Sequence, residues 1–324
     1  MNGELSHGLP RLTTSGNRII DSTTGAPVVL RGVNRSGLEY SEPDEDGFAS
    51  AAGLSRHEVR FIVQQWRAKI LRIPINQDWA LNGRRGRPAE DYLRDLDRVV
   101  DWAATYGAYT LFDLQWLDAD NPFGANRQFV APLPNPDTPG LWTTLARRYK
   151  DEPAVLYDIF NEPHDRTADD DRPLFRHDGG TYPPSQRRVT MAEWQPWARA
   201  LVQAVRGENA DALVFVSGLN WAYDLRGFPI TGMPNLVYST HVYRGKGETK
   251  AEWREAFGRV AESQPVFAGE WGGGDADLSW GRRLAAYFVE LGIGWAAWSW
   301  ADQPLLVQRY TPSRFGDIVR SRIA

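Results

Sequence analysis

Two glutamates that come after apolar segments are the first candidates for chemistry in this chain of 324 residues. Glu162 follows the apolar run 154–160 with only Asn161 between them, and Glu270 ends the apolar run 265–270. Hydrolysis of a glycosidic bond uses two carboxyl groups across a cleft, of which one holds a proton and the other is ionised. The two glutamates therefore predict acid–base chemistry on a sugar, provided that the fold brings them to one cleft.

The elements that position these residues can be predicted from eight short apolar runs, which alternate with longer amphipathic stretches. Continuous apolar runs are typical of parallel strands buried on both faces. Eight such strands alternating with helices predict an α/β fold, a single (β/α)8 TIM barrel, preceded by a short hairpin around residues 14–16. The runs cover residues 28–33, 69–74, 108–114, 154–160, 212–217, 235–240, 265–270 and 293–299.

An open, doubly wound sheet is the structural alternative, because it also alternates strands with helices. Such a sheet normally carries a glycine-rich phosphate loop after a strand. Neither GxGxxG nor GxxxxGK[ST] occurs in this sequence. The barrel is therefore favoured.

Amphipathic periodicity and capping residues predict most of the helices. A capping box at residues 55–58 begins a helix that runs to about Gln65, and a helix over residues 89–106 stops at Gly107. Further helices are predicted over residues 140–149, 191–205, 251–261, 278–291 and 313–323, with a short or irregular one after the fifth strand. Residues 1–324 are predicted to form one catalytic domain, with residues 1–10 as a flexible tail.

Barrel enzymes place their active sites where the strands end, so the polar and aromatic residues at those positions are further candidates. Beyond the two glutamates, they are Asn34, Arg72, Gln115, Trp116, Asn161, His241, Tyr243, Trp271 and Trp298.

The aromatic content is high, with 14 Trp, 12 Tyr and 13 Phe. An indole ring can stack on the apolar face of a sugar while polar groups bind the rim, so a cleft lined with aromatic rings is one interpretation. A large aromatic core is the other. Four tryptophans just after strand ends could contact sugar or belong to a wall or core: Trp79, Trp116, Trp221 and Trp271.

Composition argues against several other classes of protein. The formal net charge of −4 offers no strong basic field for nucleic acid or an anionic membrane. No apolar run approaches the roughly 18 residues of a membrane span. The absence of cysteine excludes disulfides, thiolate metal sites and a cysteine nucleophile. The five histidines form no close ligand pair, so no metal site is predicted.

With its strand-end residues in register, the chain resembles glycoside hydrolase family 5, the cellulase-like family of the clan A barrels. The resemblance runs from residues 30–34 to residues 298–300, and its most specific element is Asn161-Glu162-Pro163. It implies a retaining mechanism in which Glu162 is the acid/base and Glu270 the nucleophile. It also implies a β-linked oligosaccharide or polysaccharide as substrate and action as a monomer without a cofactor.

Supporting roles come from the same resemblance. Asn161 matches the residue that hydrogen-bonds the sugar 2-OH, and Arg72 matches the cation beside the nucleophile. Tyr243 matches the hydroxyl that orients Glu270, and His241 the histidine near the acid/base. Trp298 matches the platform under the sugar. Substrate contacts are further predicted for Gln115, Trp116, Asn34 and Trp271 from their places at strand ends.

Two features depart from the family pattern. The family usually has histidine where this chain has Gln115, and a long charged loop, residues 164–190, follows the fourth strand. The histidines of this loop, His164 and His177, are interpreted as parts of a solvated wall rather than cation ligands.

The departures leave the substrate open. An endo-β-1,4-glucanase is favoured, while an exo-β-glucosidase, a β-mannanase or a diglycosidase on the same machinery is the alternative. A non-catalytic carbohydrate-binding barrel is a remote alternative.

The start of the chain has no hydrophobic leader, so either secretion after removal of a leader or a cytoplasmic location fits the sequence.

Overall fold

Eight parallel strands close into one barrel in chain order, with the last strand pairing with the first. The computed structural model describes residues 8–120, 130–167, 170 and 172–323. The barrel strands are β3 (Arg31–Asn34), β4 (Ile70–Asn76), β5 (Tyr109–Trp116), β6 (Val155–Asp158), β7 (Val214–Ser217), β8 (Leu236–Val242), β9 (Val266–Trp271) and β10 (Gly294–Ala297). The predicted (β/α)8 fold is thereby confirmed.

Helices lie between the barrel strands and around them. They are α1 (Phe48–Ala51), α2 (Arg56–Gln65), α3 (Gln77–Asn82), α4 (Ala89–Tyr106), α5 (Thr138–Arg148), α6 (Met191–Glu208), α7 (Lys250–Trp253), α8 (Arg259–Ala261), α9 (Leu278–Leu291) and α10 (Arg314–Ile323). The predicted boundaries of α2 hold because Ser55 accepts a hydrogen bond from the Glu58 N–H. Those of α4 hold because Gly107 ends the helix in the left-handed conformation.

The N-terminal hairpin pairs β1 (Leu12–Ser15) with β2 (Arg18–Asp21) and covers the end of the barrel where the strands begin. Leu12 and Ile19 join an inner apolar cluster with side chains from inside the barrel, and Pro10 accepts a 2.7 Å hydrogen bond from the Tyr109 hydroxyl. The flexible tail predicted for residues 1–10 extends too far, because Leu9 packs on the inner cluster and Pro10 hydrogen-bonds to Tyr109. Residues 1–7 lie outside the described residues.

Two layers of apolar side chains hold the barrel together. The inner cluster fills the barrel interior, and a second, larger cluster lies between the strands and the helices. All seven residues of β4 are buried, as expected for a strand with core on both faces. This double burial explains why the strands read as continuous apolar runs.

Two segments differ from a regular pattern of strands and helices. A π-helical turn, Arg254–Gly258, separates α7 from α8 within the predicted helix 251–261. After β7 the chain forms irregular turns up to β8, in which Asn220, Trp221 and Ala222 have positive φ angles of 53°, 58° and 57°. The loop after β10, the eighth strand of the barrel, contains a small hairpin of β11 (Val307–Gln308) and β12 (Thr311–Pro312).

None of the helices in the described part of the chain is long and apolar enough to cross a membrane.

Candidate active site

Strand register brings the predicted site residues together at the carboxyl ends of the barrel strands. Asn34 on β3 pairs with Arg72 on β4, and His241 on β8 pairs with Glu270 on β9. Asn161 and Glu162 follow the end of β6 after two buried residues, Ile159 and Phe160. Residues far apart in the sequence therefore converge on one mouth, as barrel geometry requires.

Arg72 is fully buried, and its guanidinium contacts five acceptors. Arginine has five N–H donors in a planar fork, so this set of partners can use all of them. The contacts are Nε to Asp158 Oδ2 at 2.9 Å, Nη1 to Asn34 Oδ1 at 2.9 Å and to Glu270 Oε1 at 3.1 Å, and Nη2 to Asn161 Oδ1 at 2.9 Å and to Asp113 Oδ1 at 2.8 Å. Arg72 thus links β3, β5, β6 and β9.

The carboxyl groups around Arg72 are unusual for their burial. Asp113 and Asp158 have no exposed surface. Burial raises the pKa of Asp158 to about 6 against the lowering effect of Arg72, and it raises the pKa of Asp113 well above its ordinary value. For Arg72 itself, burial is outweighed by the charges of Asp113, Asp158 and Glu270, which raise its pKa. The guanidinium therefore stays charged beside Glu270.

Both carboxylate oxygens of Glu270 are held in place. Oε1 accepts from Arg72, and Oε2 accepts from the Tyr243 hydroxyl at 2.7 Å. Only 4% of the residue is exposed. One donor from β4 and one from the residue after β8 thus leave Glu270 little freedom to rotate.

Glu162 occupies a different environment, with 14% of its side chain exposed. Its Oε1 lies 2.9 Å from Nδ1 of His241. Burial raises the pKa of Glu162, while the charges of Lys246, His164 and Arg72 oppose that rise. Burial lowers the pKa of His241 to about 3, so its ring is neutral at working pH. Glu162 therefore faces a neutral hydrogen-bonding partner, whereas Glu270 faces a permanent cation.

Donor atoms of Glu162, His241 and Glu270 all lie within 4.8 Å of one another. An oxygen atom of each glutamate therefore lies within 4.8 Å of the other. Three such donors could also hold a metal ion, but their contacts with Arg72, Tyr243 and each other account for the arrangement without one. That no metal is bound stays a prediction.

The predicted aromatic platform lies at the end of β10. Trp298 is 9% exposed, and its indole N–H donates to the Gln303 carbonyl at 3.0 Å. At the end of β5, Gln115 is half-buried, and its Oε1 atom has no hydrogen-bonding partner among the residues that the structure describes. Trp116 packs against Tyr40 with 5.8 Å between ring centroids. Contacts of these residues with substrate stay predictions.

Two predicted substrate contacts need correction. Trp271 is fully buried and packs on Phe288 and Trp295 between the barrel and the helices. Successive residues of a strand point to opposite faces. Since Glu270 points into the mouth, the next residue, Trp271, points away from it. Asn34 is also fully buried, and its amide donates to the carbonyls of Gly269 and Ala296 while its oxygen accepts from Arg72. It braces the barrel rather than facing a sugar.

Sequence reasoning missed several residues of the site. Asp113 and Asp158 had a usable signal, because each is a charged residue inside an otherwise apolar strand. His164, predicted in a solvated loop, is 2% exposed and stacks on Trp221 with ring centroids 3.6 Å apart. Lys246, whose charge acts on Glu162, had no signal in its surrounding sequence.

Glu39, which follows β3, is another buried carboxyl group near the mouth. It is 2% exposed, and its Oε2 accepts from the Gly37 N–H at 2.6 Å. Burial raises its pKa to about 8. The sequence alone does not distinguish it from the exposed acidic residues that follow.

A closed (β/α)8 barrel with two opposed glutamates at the carboxyl ends of its strands defines the class of barrel glycoside hydrolases. The chain belongs to glycosyl hydrolase family 5, since the family profile described as "Cellulase (glycosyl hydrolase family 5)" matches residues 22–304. The resemblance seen in the strand-end residues is confirmed.

Characterised relatives are distant but cover most of the chain. Endoglucanase MaCel5A of Microbulbifer sp. (strain ALW1) is 24% identical over 318 residues, which are 91% of this chain and 52% of the relative. Endoglucanase A of Butyrivibrio fibrisolvens is 26% identical over 272 residues, which are 82% of this chain and 53% of the relative. The chain thus spans about half the length of these relatives.

Solved structures share the fold. The β-glucanase SdGluc5_26A of Saccharophagus degradans, crystallised in complex with cellotetraose, superimposes with a TM-score of 0.77 at 22% identity. The match covers 100% of this chain and 96% of that one. At this identity, the match supports the fold rather than a substrate.

Proposed function

We propose that this chain is a retaining endo-β-1,4-glucanase that cleaves β-glucan by double displacement. The observation that carries the retaining mechanism is the closeness of Glu162 and Glu270, which have one oxygen atom each within 4.8 Å of the other. Retaining glycosidases hold their two carboxyl groups about 5–5.5 Å apart, whereas inverting enzymes need about 6.5–9.5 Å to admit a water molecule between them. The short spacing supports direct attack by a glutamate.

The environments of the two glutamates support one assignment of roles. In the first step, a carboxylate oxygen of Glu270 bonds to the anomeric carbon, and the bond from that carbon to the leaving oxygen breaks. Glu162 gives its proton to the leaving oxygen, a role that suits a carboxyl group whose pKa is raised by burial. Arg72 and Tyr243 hold Glu270 in position for attack.

The second step frees the enzyme. Water attacks the same carbon, Glu162 takes the proton of that water, and the bond to Glu270 breaks. Two inversions restore the original configuration. Asn161, which Arg72 holds by its side-chain oxygen, is proposed to hydrogen-bond the sugar 2-OH as the family resemblance implies.

A β-glucan is proposed as substrate because the curated relatives are endoglucanases and one structural neighbour was crystallised with cellotetraose. We further propose that the chain acts as a monomer without a cofactor. A β-mannanase is the second candidate. Gln115, whose Oε1 finds no partner in the described part of the chain, stands where the family usually has a histidine that holds the sugar.

The test is product release from soluble substituted cellulose, mixed-linkage β-glucan, β-mannan, aryl glucoside and aryl cellobioside, with Glu270→Ala as the control. We expect the polymeric glucans to be cleaved and the variant to be inactive. Activity on mannan alone would favour the second candidate, and activity on aryl glycosides alone an exo-acting enzyme.

Stereochemistry tests the mechanism separately. Proton NMR of a cellotetraose digest records the anomer that appears first. The β-anomer is expected from double displacement, whereas first appearance of the α-anomer would contradict it.

A further inference from the structure

The turn that follows β7 is held in an unfavourable backbone conformation beside Glu162. Asn220, Trp221 and Ala222 are consecutive residues with φ between 53° and 58°, in the left-handed region that side chains with a Cβ atom avoid. Such conformations persist where surrounding contacts enforce them, and they concentrate at functional sites. The contacts that enforce this turn therefore matter.

Three of these contacts connect the turn to the neighbours of Glu162. The Trp221 N–H donates to the Pro163 carbonyl at 3.1 Å, next to Glu162 in the chain. The Ala222 carbonyl accepts from the backbone N–H of His241, the residue whose ring contacts Glu162. The Trp221 ring lies flat on His164, with an angle of 11° between the rings. The turn thus contacts three residues that adjoin Glu162 in sequence or hydrogen-bond to it.

Lys246 makes the fourth contact. Its ammonium donates to the Trp221 carbonyl at 2.8 Å and lies 5.9 Å from the centroid of the Trp221 ring. The side chain is half-buried, and burial lowers its pKa while the charges of Glu162 and Glu270 raise it. The Lys246 ammonium therefore interacts electrostatically with both glutamates of the mouth, although its hydrogen bonds go to backbone carbonyls.

We propose that Lys246 is a positioning residue for Glu162, which holds the turn of residues 220–222 against the acid/base and supplies a positive charge on that side of the site. This inference rests on the proposed role of Glu162. It predicts that the charge of Lys246, and not only its hydrogen bond, sets how readily Glu162 gives up its proton.

The other groups that act on Glu162 do not replace Lys246. His241 is a neutral ring at 2.9 Å, and burial lowers the pKa of His164. The guanidinium of Arg72 contacts Asn34, Asn161 and three carboxyl groups. The Tyr243 hydroxyl donates its hydrogen bond to Glu270. After burial, which raises the pKa of Glu162, Lys246 has the largest opposing effect. Removal of its charge should raise that pKa.

The first experiment follows the titration of Glu162 directly, by NMR of the full chain labelled with 13C at the glutamate carboxyl carbon. Glu162→Gln identifies the signal. Lys246→Met removes the charge and the hydrogen bond, Lys246→Gln keeps a donor without the charge, and Lys246→Arg keeps the charge. We expect an upward shift of the midpoint in the Met and Gln variants and a midpoint near wild type in the Arg variant.

The matched control is Lys250→Met, because Lys250 is exposed, pairs with Glu290 and lies outside the mouth. Thermal unfolding checks that each variant folds. A Glu162 midpoint that is the same in wild type and in folded Lys246→Gln would overturn the proposal. So would an equal shift in Lys250→Met.

The second experiment uses aryl cellobiosides. We expect kcat/KM of Lys246→Gln to fall about tenfold for a poor leaving group, which needs the proton of Glu162, and to stay near wild type for a dinitrophenyl leaving group. The alkaline limb of its pH profile should move up. Equal losses on both substrates would contradict the proposal. An inactive wild type would count against the proposed function, while the NMR titration would still decide the role of Lys246.

Discussion

At Arg72, one guanidinium faces three carboxyl groups, those of Asp113, Asp158 and Glu270. A single positive charge cannot compensate three buried negative ones, and an uncompensated buried charge is costly. A proton on one carboxyl group relieves the excess. Asp113 is the expected carrier, because burial raises its pKa well above its ordinary value and neither of its oxygens has a well-aligned hydrogen bond within the described residues.

This charge distribution predicts unequal effects of two similar substitutions. Asp113→Asn resembles the protonated acid, so kcat/KM on soluble cellulose should stay within about threefold of wild type. Asp158→Asn removes a charged acceptor from Arg72 Nε, and loss of one partner of a buried pair should destabilise the fold by about 3–5 kcal/mol. Denaturant unfolding and steady-state kinetics provide the comparison. Equal losses in both variants would argue against a protonated Asp113.

The acid/base assignment gives a second prediction at this scale. Glu162→Gln should lower kcat/KM by about 10²–10⁴-fold on a substrate with a poor leaving group, because it removes the proton donor but leaves Glu270 in position. The loss should be much smaller with an activated aryl leaving group. Rates measured on a series of aryl cellobiosides test this, and a uniform loss across the series would contradict it.

At the scale of the element, strand alternation decides which side chains reach the mouth. On β9, Glu270 points into the site and Trp271 into the layer between barrel and helices. On β8 the same rule directs His241 toward Glu162, and β8 is paired to β9 with His241 beside Glu270. Strand pairing thus delivers the acid/base partner and the nucleophile to neighbouring positions.

The two tryptophans at strand ends should respond differently to substitution. Trp271→Ala should cost about 3–5 kcal/mol of stability, because it empties a buried site, while KM of the folded enzyme should change little. Trp298→Ala should raise KM for cello-oligosaccharides about tenfold through loss of stacking. Thermal unfolding together with KM separates the two effects. A rise in KM for Trp271→Ala alone would restore the original prediction for that residue.

At the scale of the whole molecule, buried acids couple stability to pH. Glu39 has a pKa of about 8 in the folded protein, above its ordinary value of 4.5. The folded state therefore holds more protons than the unfolded state between these values, so stability falls as pH rises from about 4.5 to about 8. The cost of this group is absent below that window and greatest above it.

Glu39→Gln should remove this dependence. At pH 8 the variant should be more stable than wild type by about 2–4 kcal/mol, and at pH 4.5 the two should be nearly equal. Denaturant unfolding across this pH range is the measurement. Glu45→Gln is the matched control, since Glu45 is exposed in the same region. A stability difference that does not grow with pH would contradict the assigned charge state.

Local sequence patterns were enough to predict the barrel and the two glutamates at its mouth. The periodicities of strands and helices are local properties of the sequence. A helix-ending residue such as Gly107 likewise acts within the last turn of its helix. In a parallel barrel, the carboxyl ends of all strands lie at one face. Residues at the predicted strand ends could therefore be assigned to one site. Asn161, Glu162 and Glu270 were found in this way.

The partners of these residues could be identified only from the folded chain. Arg72 meets Asp158 across 86 positions of sequence, and Lys246 donates to a left-handed turn that no local pattern predicts. It also placed Trp271 in the core and His164 under Trp221. The physical reason is that loop paths and side-chain burial depend on contacts between distant segments, whereas periodicity records only the immediate surroundings of each residue.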